Sequence, residues 1–389
     1  MYSIQSRNFD FRLLSCGFRR MDLDDMCKEP HGELLKELLK QKERISYIYE
    51  NGLSHVYIAT RNEFYPESRV PNILRSRASM KLFEIMQNVD ISCKSFLDIC
   101  AGPGAMSDLL LKSFECTGLG VSLCQEDTSK HFYDDLTNND KYNIASPDDG
   151  DITRIEVISD VASMSDAIYG KYGVDLIVAD GAPSLDFNQE DYQEVHAQKI
   201  LLGEIITGLE CLKRHGTFIM KIFDTFTKFS RCVVYLFTKL FNSLKIIKPA
   251  SSRITNSEKY LVGMDLMIVD DKRVDLLAQL HTILYNFKDG YNCEEFISLD
   301  RDSRFEQTFG ASMTKLAQNQ IESLKVILNQ IDFKIFKVEL PEPPRKGKGK
   351  GKGRKGKGKR SEPYVAPPPP QLAPEKEYSP FEEDSLFPD

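Results

Sequence analysis

Two rhythms of apolar and polar positions divide this chain. Between Gly32 and Tyr49, Leu34, Leu35, Leu38, Leu39, Ile45 and Ile48 recur near helical spacing, which predicts an amphipathic packing or lid helix. From about Asn72 onward, short apolar runs bounded by turns alternate with amphipathic stretches. ILRSRASMKLFEIMQ reads as a helix, SFLDIC as a buried strand, AMSDLLLKSF as a helix and GLGVSL as a second strand. Residues 124–150 are polar and read as an excursion from the core. IEVIS reads as a third strand, VASMSDAIYGKYG as a helix and VDLIVAD as a fourth strand. QEDYQEVHAQKILLGEIITGLECLK follows as one long helix, then GTFIMKIF as a fifth strand. TKFSRCVVYLFTKLF gives a helix, LKIIKP a sixth strand and KYLVGMDLMIV a seventh.

Strands interleaved with helices predict an α/β fold with a seven-stranded, mostly parallel sheet covered on both faces. A loop rather than a helix joins the last two strands, which predicts an antiparallel edge. Beyond Asp271, VDLLAQLHTILYNF and KLAQNQIESLKVILNQI predict a helical annex. The organisation is therefore an N-terminal extension (1–65), an α/β domain (66–271), a helical C-terminal annex (272–340) and a tail (341–389). The tail is Pro, Gly, Lys and Glu, first basic and then acidic, and cannot bury a core; it is predicted to be disordered.

Composition adds three points. No run of 18 apolar residues occurs and the N-terminal stretch lacks an apolar h-region, so neither a membrane span nor a secretory signal is expected. The nine cysteines form no CxxC pair and the six histidines do not pair with them at ligand spacing, so reduced intracellular thiols and no bound metal are expected. The net charge of −7 conceals ten Lys and Arg between Arg345 and Arg360, an acidic body with a basic strap that suits a polyanionic partner. The strap offers three roles: loose RNA binding, nuclear import, or a solvated spacer. The acidic, aromatic-dotted end of the tail offers a docking segment for a basic partner such as an RNA polymerase or capping enzyme.

Chemistry enters at the strand ends. DICAGPGA (98–105) lies where the first strand meets its helix, the place where open parallel sheets bind ligands. Gly102 and Gly104 let the backbone turn sharply and approach a ligand. In DDGDITR (148–154), Asp151 can accept a hydrogen bond from a cofactor amine and Ile152 can wall an adenine. Lys81, Asp180, Lys221 and Glu258 sit in RSRASMK, DLIVADGAPS, GTFIMKIFD and SSRITNSEKYLVG. Two lysines and two carboxylates at successive strand ends can aim one amine, its pKa depressed by its neighbour, at a weak nucleophile such as a ribose hydroxyl. Lys221 is the expected base, Asp180 its orienter, and Lys81 with Glu258 the electrostatic frame.

With the blocks LDICAGPGAMSD, GLGVSL, DGDITR, DLIVADGAPS, GTFIMKIFDTFTKFS and KPASSRITNSEKYLVG, the chain from about Arg75 to Asp265 resembles the FtsJ-like RNA 2′-O-ribose methyltransferases. Within them it is most similar to the cap-specific mRNA enzymes. The resemblance implies a Rossmann-like class I methyltransferase fold and S-adenosyl-L-methionine as methyl donor. It implies Lys81, Asp180, Lys221 and Glu258 as the catalytic tetrad, with Lys221 the proton acceptor. Asp98, Ala101, Gly102, Pro103, Gly104, Ala105, Met106, Asp151 and Ile152 would bind the cofactor. Ser76, Arg77, Asp191, Gln193, Arg253 and Asn256 would touch RNA. The implied substrate is the 5′ end of capped mRNA, methylated on the first transcribed nucleotide. ADGAPS lies between the cap and ribosomal patterns, so ribosomal or transfer RNA is one alternative; the second nucleotide is another, because the sequence does not read first against second, and a non-catalytic RNA-binding module stands behind both. The implied location is the nucleus for a cellular protein, and the cytoplasm or virion for a viral one. Arg75, Arg77, Lys81, Lys248 and Arg253 are expected to flank the RNA cleft, with Phe64, Tyr65, Tyr133 and Tyr192 the candidates to stack on a cap.

Overall fold

Ser95–Ile99 and Val174–Ala179 are buried at every position, as central strands are when helices cover both sides of a sheet. The computed structural model describes residues 2–4, 16–20, 26–27, 31–66, 69–123, 132–145, 149–185, 192–288, 291–299 and 303–339. The tail expected to be disordered lies outside them.

Among the described residues the elements begin with β1 (Tyr2–Ile4), β2 (Phe18–Arg20), α1 (Gly32–Glu50), α2 (Ser54–Phe64) and α3 (Arg77–Met86). Then come β3 (Ser95–Ile99), α4 (Ala105–Ser113), β4 (Thr117–Val121), α5 (Asp134–Thr137), β5 (Tyr142–Ala145), α6 (Ile155–Tyr169) and β6 (Val174–Ala179). The chain continues through α7 (Gln193–His196), α8 (Gln198–Cys211), β7 (Leu212–Ile222), α9 (Lys228–Leu240), β8 (Phe241–Ile247) and β9 (Lys259–Leu266). It closes with α10 (Asp270–Tyr285), β10 (Tyr291–Cys293) and α11 (Ser303–Glu339).

The sheet order is β1-β8-β9-β7-β6-β3-β4-β5. Strands β5, β4, β3, β6 and β7 pair in parallel, and β9 runs antiparallel to both β7 and β8. The fold is thus the expected Rossmann-like, mostly parallel seven-stranded sheet (β3–β9), with β1 added antiparallel to β8. The antiparallel strand is not at the edge, however: β9 inserts between β7 and β8, which places the segment before it beside the end of β7.

Two element readings are corrected. IEVIS is the start of helix α6, whose buried Val157, Ile158, Val161 and Ser165 follow a helical period; the third strand is YNIA, inside the stretch read as polar excursion. A short apolar run does not by itself separate strand from helix. The long helix after the fourth strand is broken into α7 and α8, and its last residues, Leu212 and Lys213, already belong to β7.

Helix α1 is the amphipathic helix expected between Gly32 and Tyr49, and its partner is the far end of the chain. Leu35, Leu38 and Ile48 of α1 and Tyr57 of α2 share a buried cluster with Ile321, Leu324, Ile327 and Leu328 of α11. Leu38, Leu324 and Ile327 are fully buried, each stabilising by about 1.5–3 kcal/mol. Arg44–Asp332 and Lys325–Glu37 ion pairs, both at 2.7 Å, rim the seam. Residues 1–339 accordingly form one unit. The reduced state expected for the cysteines is corrected at one pair. Strands β2 and β10 pair with Phe18 opposite Cys293, and Cys16 and Cys293 form a disulfide. Among the described residues no helix is long and apolar enough to cross a membrane.

Candidate active site

Sheet topology converges the four tetrad candidates. Asp180 follows β6, and Lys221 is the penultimate residue of β7, the neighbouring strand. The antiparallel register sets Lys221 opposite Tyr260 of β9, so Glu258, immediately before β9, arrives beside it. Lys81 comes from α3, whose start is fixed by a capping box: Ser76 Oγ accepts from the Ala78 N–H at 3.1 Å and Ser79 Oγ accepts from the Ser76 N–H at 3.1 Å. Lys221 Nζ lies 3.1 Å from Asp180 Oδ1 and donates to the Asp180 carbonyl at 2.6 Å. Lys81 Nζ pairs with Glu258 Oε1 at 2.7 Å, and Ser252 Oγ donates to the same oxygen at 2.9 Å. The lysines and carboxylates thus form two ion pairs side by side, the Lys221 side chain 7% exposed and Asp180 18%.

The charge state of Lys221 differs from the expected one. Burial favours the neutral amine, but Asp180, Glu258 and Glu204 together outweigh it and hold the ammonium above the ordinary lysine value. Lys81 does not tip the balance because it is committed to Glu258. Burial pushes the Glu258 carboxyl up, but Lys81, Lys221 and Ser252 bring it below its ordinary value.

Three further residues in this network carry no local sequence signal. Tyr260 donates its phenol to Asp180 Oδ1 at 2.7 Å. Cys100, at the end of β3, holds a left-handed backbone with φ of 61°, an uncommon conformation for a residue with a side chain. Glu204 of α8 is fully buried and accepts from the Gly181 N–H at 2.8 Å, while its other oxygen lacks a partner. Burial raises its carboxyl from 4.5 to about 8. A folded-state value raised this way contributes stability that is complete below the unfolded value and is lost as pH climbs through about 8. Glu204→Gln keeps an acceptor for Gly181 and removes the titration. Its thermal stability should therefore gain on the unsubstituted protein between about pH 5 and pH 9. A stability difference that stays constant over that range in thermal melts would refute this protonation state.

The Gly-rich turn is built to be occupied. Asp98 is 1% exposed; Ser107 Oγ donates to its Oδ2 at 2.6 Å, and its Oδ1 is buried without a partner. Burial raises the Asp98 carboxyl to about 7, Ser107 opposing and Asp180 assisting. The Gly102 N–H donates to Ser122 Oγ at 3.1 Å, and the Gly102–Pro103 peptide is cis. Gly104 has φ of 100°, and a Cβ there would lie 2.4 Å from Leu136. Ala101, Ala105 and Met106 are buried behind the turn. Asp151 Oδ1 accepts from the Thr153 N–H at 2.9 Å in the turn before α6, and Ile152 is 3% exposed against the core. An unpartnered buried acid beside a side-chain-free turn fits a ligand bearing an amino group, which S-adenosylmethionine does.

The residues expected to touch RNA divide. Gln193, Arg253 and Asn256 line one cavity of about 400 Å³, together with Lys42, Tyr49 and Tyr57 from the N-terminal extension. Gln320 of α11 also lines it and donates to the Thr255 carbonyl at 3.0 Å. Ser76 is occupied as the helix cap. Asp191 lies outside the described residues. Arg75 is engaged by Asp108 at 2.9 Å, by Asp135 and by the Tyr133 ring at 4.6 Å, so it is not the open phosphate contact expected of it. None of Phe64, Tyr65, Tyr133 and Tyr192 is among the cavity's lining residues; Tyr49 and Tyr57 are, their ring centroids 5.8 Å apart and edge-on.

The model of the FtsJ-like methyltransferase family matches residues 74–266. Residues 74–266 are an FtsJ-like methyltransferase domain. The chain is 28% identical over 345 residues to a protein of Leishmania braziliensis, covering 80% of this chain and 83% of that one. It is 27% identical over 313 residues to one of Trypanosoma brucei brucei, covering 74% and 82%. A Drosophila melanogaster protein is 34% identical over 212 residues, 51% of this chain and 26% of the fly protein. All three are named cap-specific mRNA (nucleoside-2′-O-)-methyltransferase 1. The FtsJ-like chain is an S-adenosyl-L-methionine-dependent methyltransferase, and the alignments to the Leishmania and Trypanosoma proteins cover more of the chain than the matched domain does.

Proposed function

We propose that this methyltransferase modifies the ribose 2′-hydroxyl of the first transcribed nucleotide of capped mRNA, with Lys81, Asp180, Lys221 and Glu258 as its catalytic tetrad. The observation that carries the reading is the cavity of about 400 Å³ beside the tetrad. Asn256 and Ser257 of its wall immediately precede Glu258, so a group lodged in the cavity is tethered close to the tetrad. Two tyrosines suit the face of a positively charged purine such as 7-methylguanine, and Lys42 and Arg253 suit the phosphates that follow it. The names of the relatives support the same substrate.

When bound, S-adenosylmethionine would supply a methyl group on a positively charged sulfur, for transfer to the 2′-oxygen with cleavage of the carbon–sulfur bond. The chain's own residues supply position and proton transfer. Asp180, itself held by Tyr260, fixes the Lys221 side chain, and the Lys81–Glu258 pair presents a second charged wall to the same space. The hydroxyl proton passes to the Lys221 amine, which must first have released its own proton to solvent.

The test is methyl transfer from a labelled donor to matched RNAs with and without a 7-methylguanosine cap, followed by nuclease mapping of the labelled nucleotide. The expected result is label on the first nucleotide of the capped RNA, with transfer to the uncapped RNA lower by at least about tenfold. Equal transfer to both would reject cap recognition, and label at the second nucleotide would reject the site assignment.

A further inference from the structure

Lys248 follows β8 and was expected to serve RNA phosphates. Instead its ammonium is turned inward. Its Nζ donates to the Asn256 carbonyl at 2.8 Å, to Asn256 Oδ1 at 2.6 Å and to the Glu258 carbonyl at 2.7 Å. Three acceptors match the three N–H bonds of one ammonium group. They also tie together the two functional ends of one short segment: Asn256 in the cavity wall and Glu258 in the tetrad.

The tie has consequences at each end. At Glu258 the backbone is held by Lys248 while the side chain is held by Lys81 and Ser252, so the carboxylate has little freedom to swing. At Asn256 the amide oxygen is taken by Lys248. That fixes which way the amide is turned and leaves its NH2 end as the group it can offer a substrate oxygen. Lysines and acids surround the clamp. Burial, with Lys259 and Lys81, presses the Lys248 value down to about 7 against Glu258 and Asp224, so an ammonium at this spot needs the oxygens it binds.

Given the tetrad reading above, we propose that Lys248 is a positioning residue that couples substrate engagement at Asn256 to the placement of Glu258. It touches neither the methyl donor nor the reacting oxygen; it acts through the 256–258 segment. Removing it should loosen both ends at once, raising the KM for RNA through Asn256 and lowering kcat through Glu258, and leave the cofactor turn untouched.

The full-length enzyme carrying Lys248→Met keeps the side-chain length and loses every donor. Its kcat should fall by about tenfold and its KM for capped RNA rise several-fold, with cofactor affinity by calorimetry unchanged within about twofold. The decisive measurement is the double variant with Glu258→Gln. If Lys248 acts through Glu258, Lys248→Met should cost kcat less than about twofold more in the Glu258→Gln background. Wild-type kinetics for Lys248→Met would overturn the inference. So would a full additive loss in the double variant, the signature of a general structural role. Should the methionine variant not fold, Lys248→Gln, which retains two of the three donors, serves the same cycle. Wild-type turnover by Glu258→Gln alone would instead overturn the tetrad reading, an outcome distinct from a failure at Lys248.

Discussion

Replacing Lys221 should stop methyl transfer while leaving the protein folded and both ligands bound. Lys221→Ala is expected to lower kcat by roughly a thousandfold or more, the upper part of what a positioned acid–base group contributes. Cofactor and RNA affinities should stay within about threefold, because the residue acts in the transition state and not in ground-state binding. The structure sharpens the experiment. With its ammonium held above the ordinary lysine value by Asp180, Glu258 and Glu204, Lys221 is charged at neutral pH and must lose a proton before it can accept one. The rate of the unsubstituted enzyme should therefore climb with pH, tenfold per unit, until the Lys221 value is passed. Lys221→Arg separates base from electrostatic roles, since an arginine retains the positive charge and does not deprotonate. It should be as inactive as the alanine variant. An active, pH-independent Lys221→Arg enzyme would assign Lys221 to stabilising charge, with the proton going elsewhere.

The convergence of the four tetrad candidates was legible in the sequence because each lies in a block whose position in the strand–helix alternation can be read off. Once β6 and β7 are recognised as neighbours, Asp180 and Lys221 must meet. Tyr260 was not legible. Its contact with Asp180 follows from β9 inserting antiparallel beside β7, and periodicity identifies a strand without giving its neighbours. Glu204 was hidden for a related reason. A glutamate in a helix usually faces water, and only the packing of α8 under the Gly181 turn buries this one. Lys248 was read by residue type as a phosphate contact, and its inward orientation depends on a loop that closes over it. The cavity is the clearest case. The apolar stripe of α1 announced that something covers it, but the partner, α11, begins more than 250 residues later. Amphipathicity gives a face its need for a partner and not the partner's identity. Tyr49 and Tyr57 look like packing residues until the two ends of the chain are brought together.

Asp98 carries the second large effect. Its Oδ1 is buried and unpartnered, and burial holds its carboxyl near 7, so at neutral pH the unliganded protein spends part of its time with this acid protonated. A ligand amino group at the Gly102–Gly104 turn carries a positive charge and binds the ionised form better. Affinity for S-adenosylmethionine should therefore strengthen as pH rises from about 6 to 7, as binding pulls the proton from Asp98, and level off as the ligand's own amino group titrates at about 8. Asp98→Asn conserves shape and the acceptor for Ser107 but cannot ionise. It is expected to weaken cofactor binding by about 10–100-fold, the loss of one charged hydrogen bond, and to abolish the pH dependence across that interval. Calorimetric titrations at several pH values measure both quantities. They also separate Asp98 from its neighbours, because Glu204 and Lys248 are unchanged in the variant and any dependence they impose would persist. A variant that binds the cofactor as tightly as the unsubstituted protein would mean that the empty oxygen of Asp98 serves only to close the end of β3. An unaltered pH dependence would assign the titration to another group.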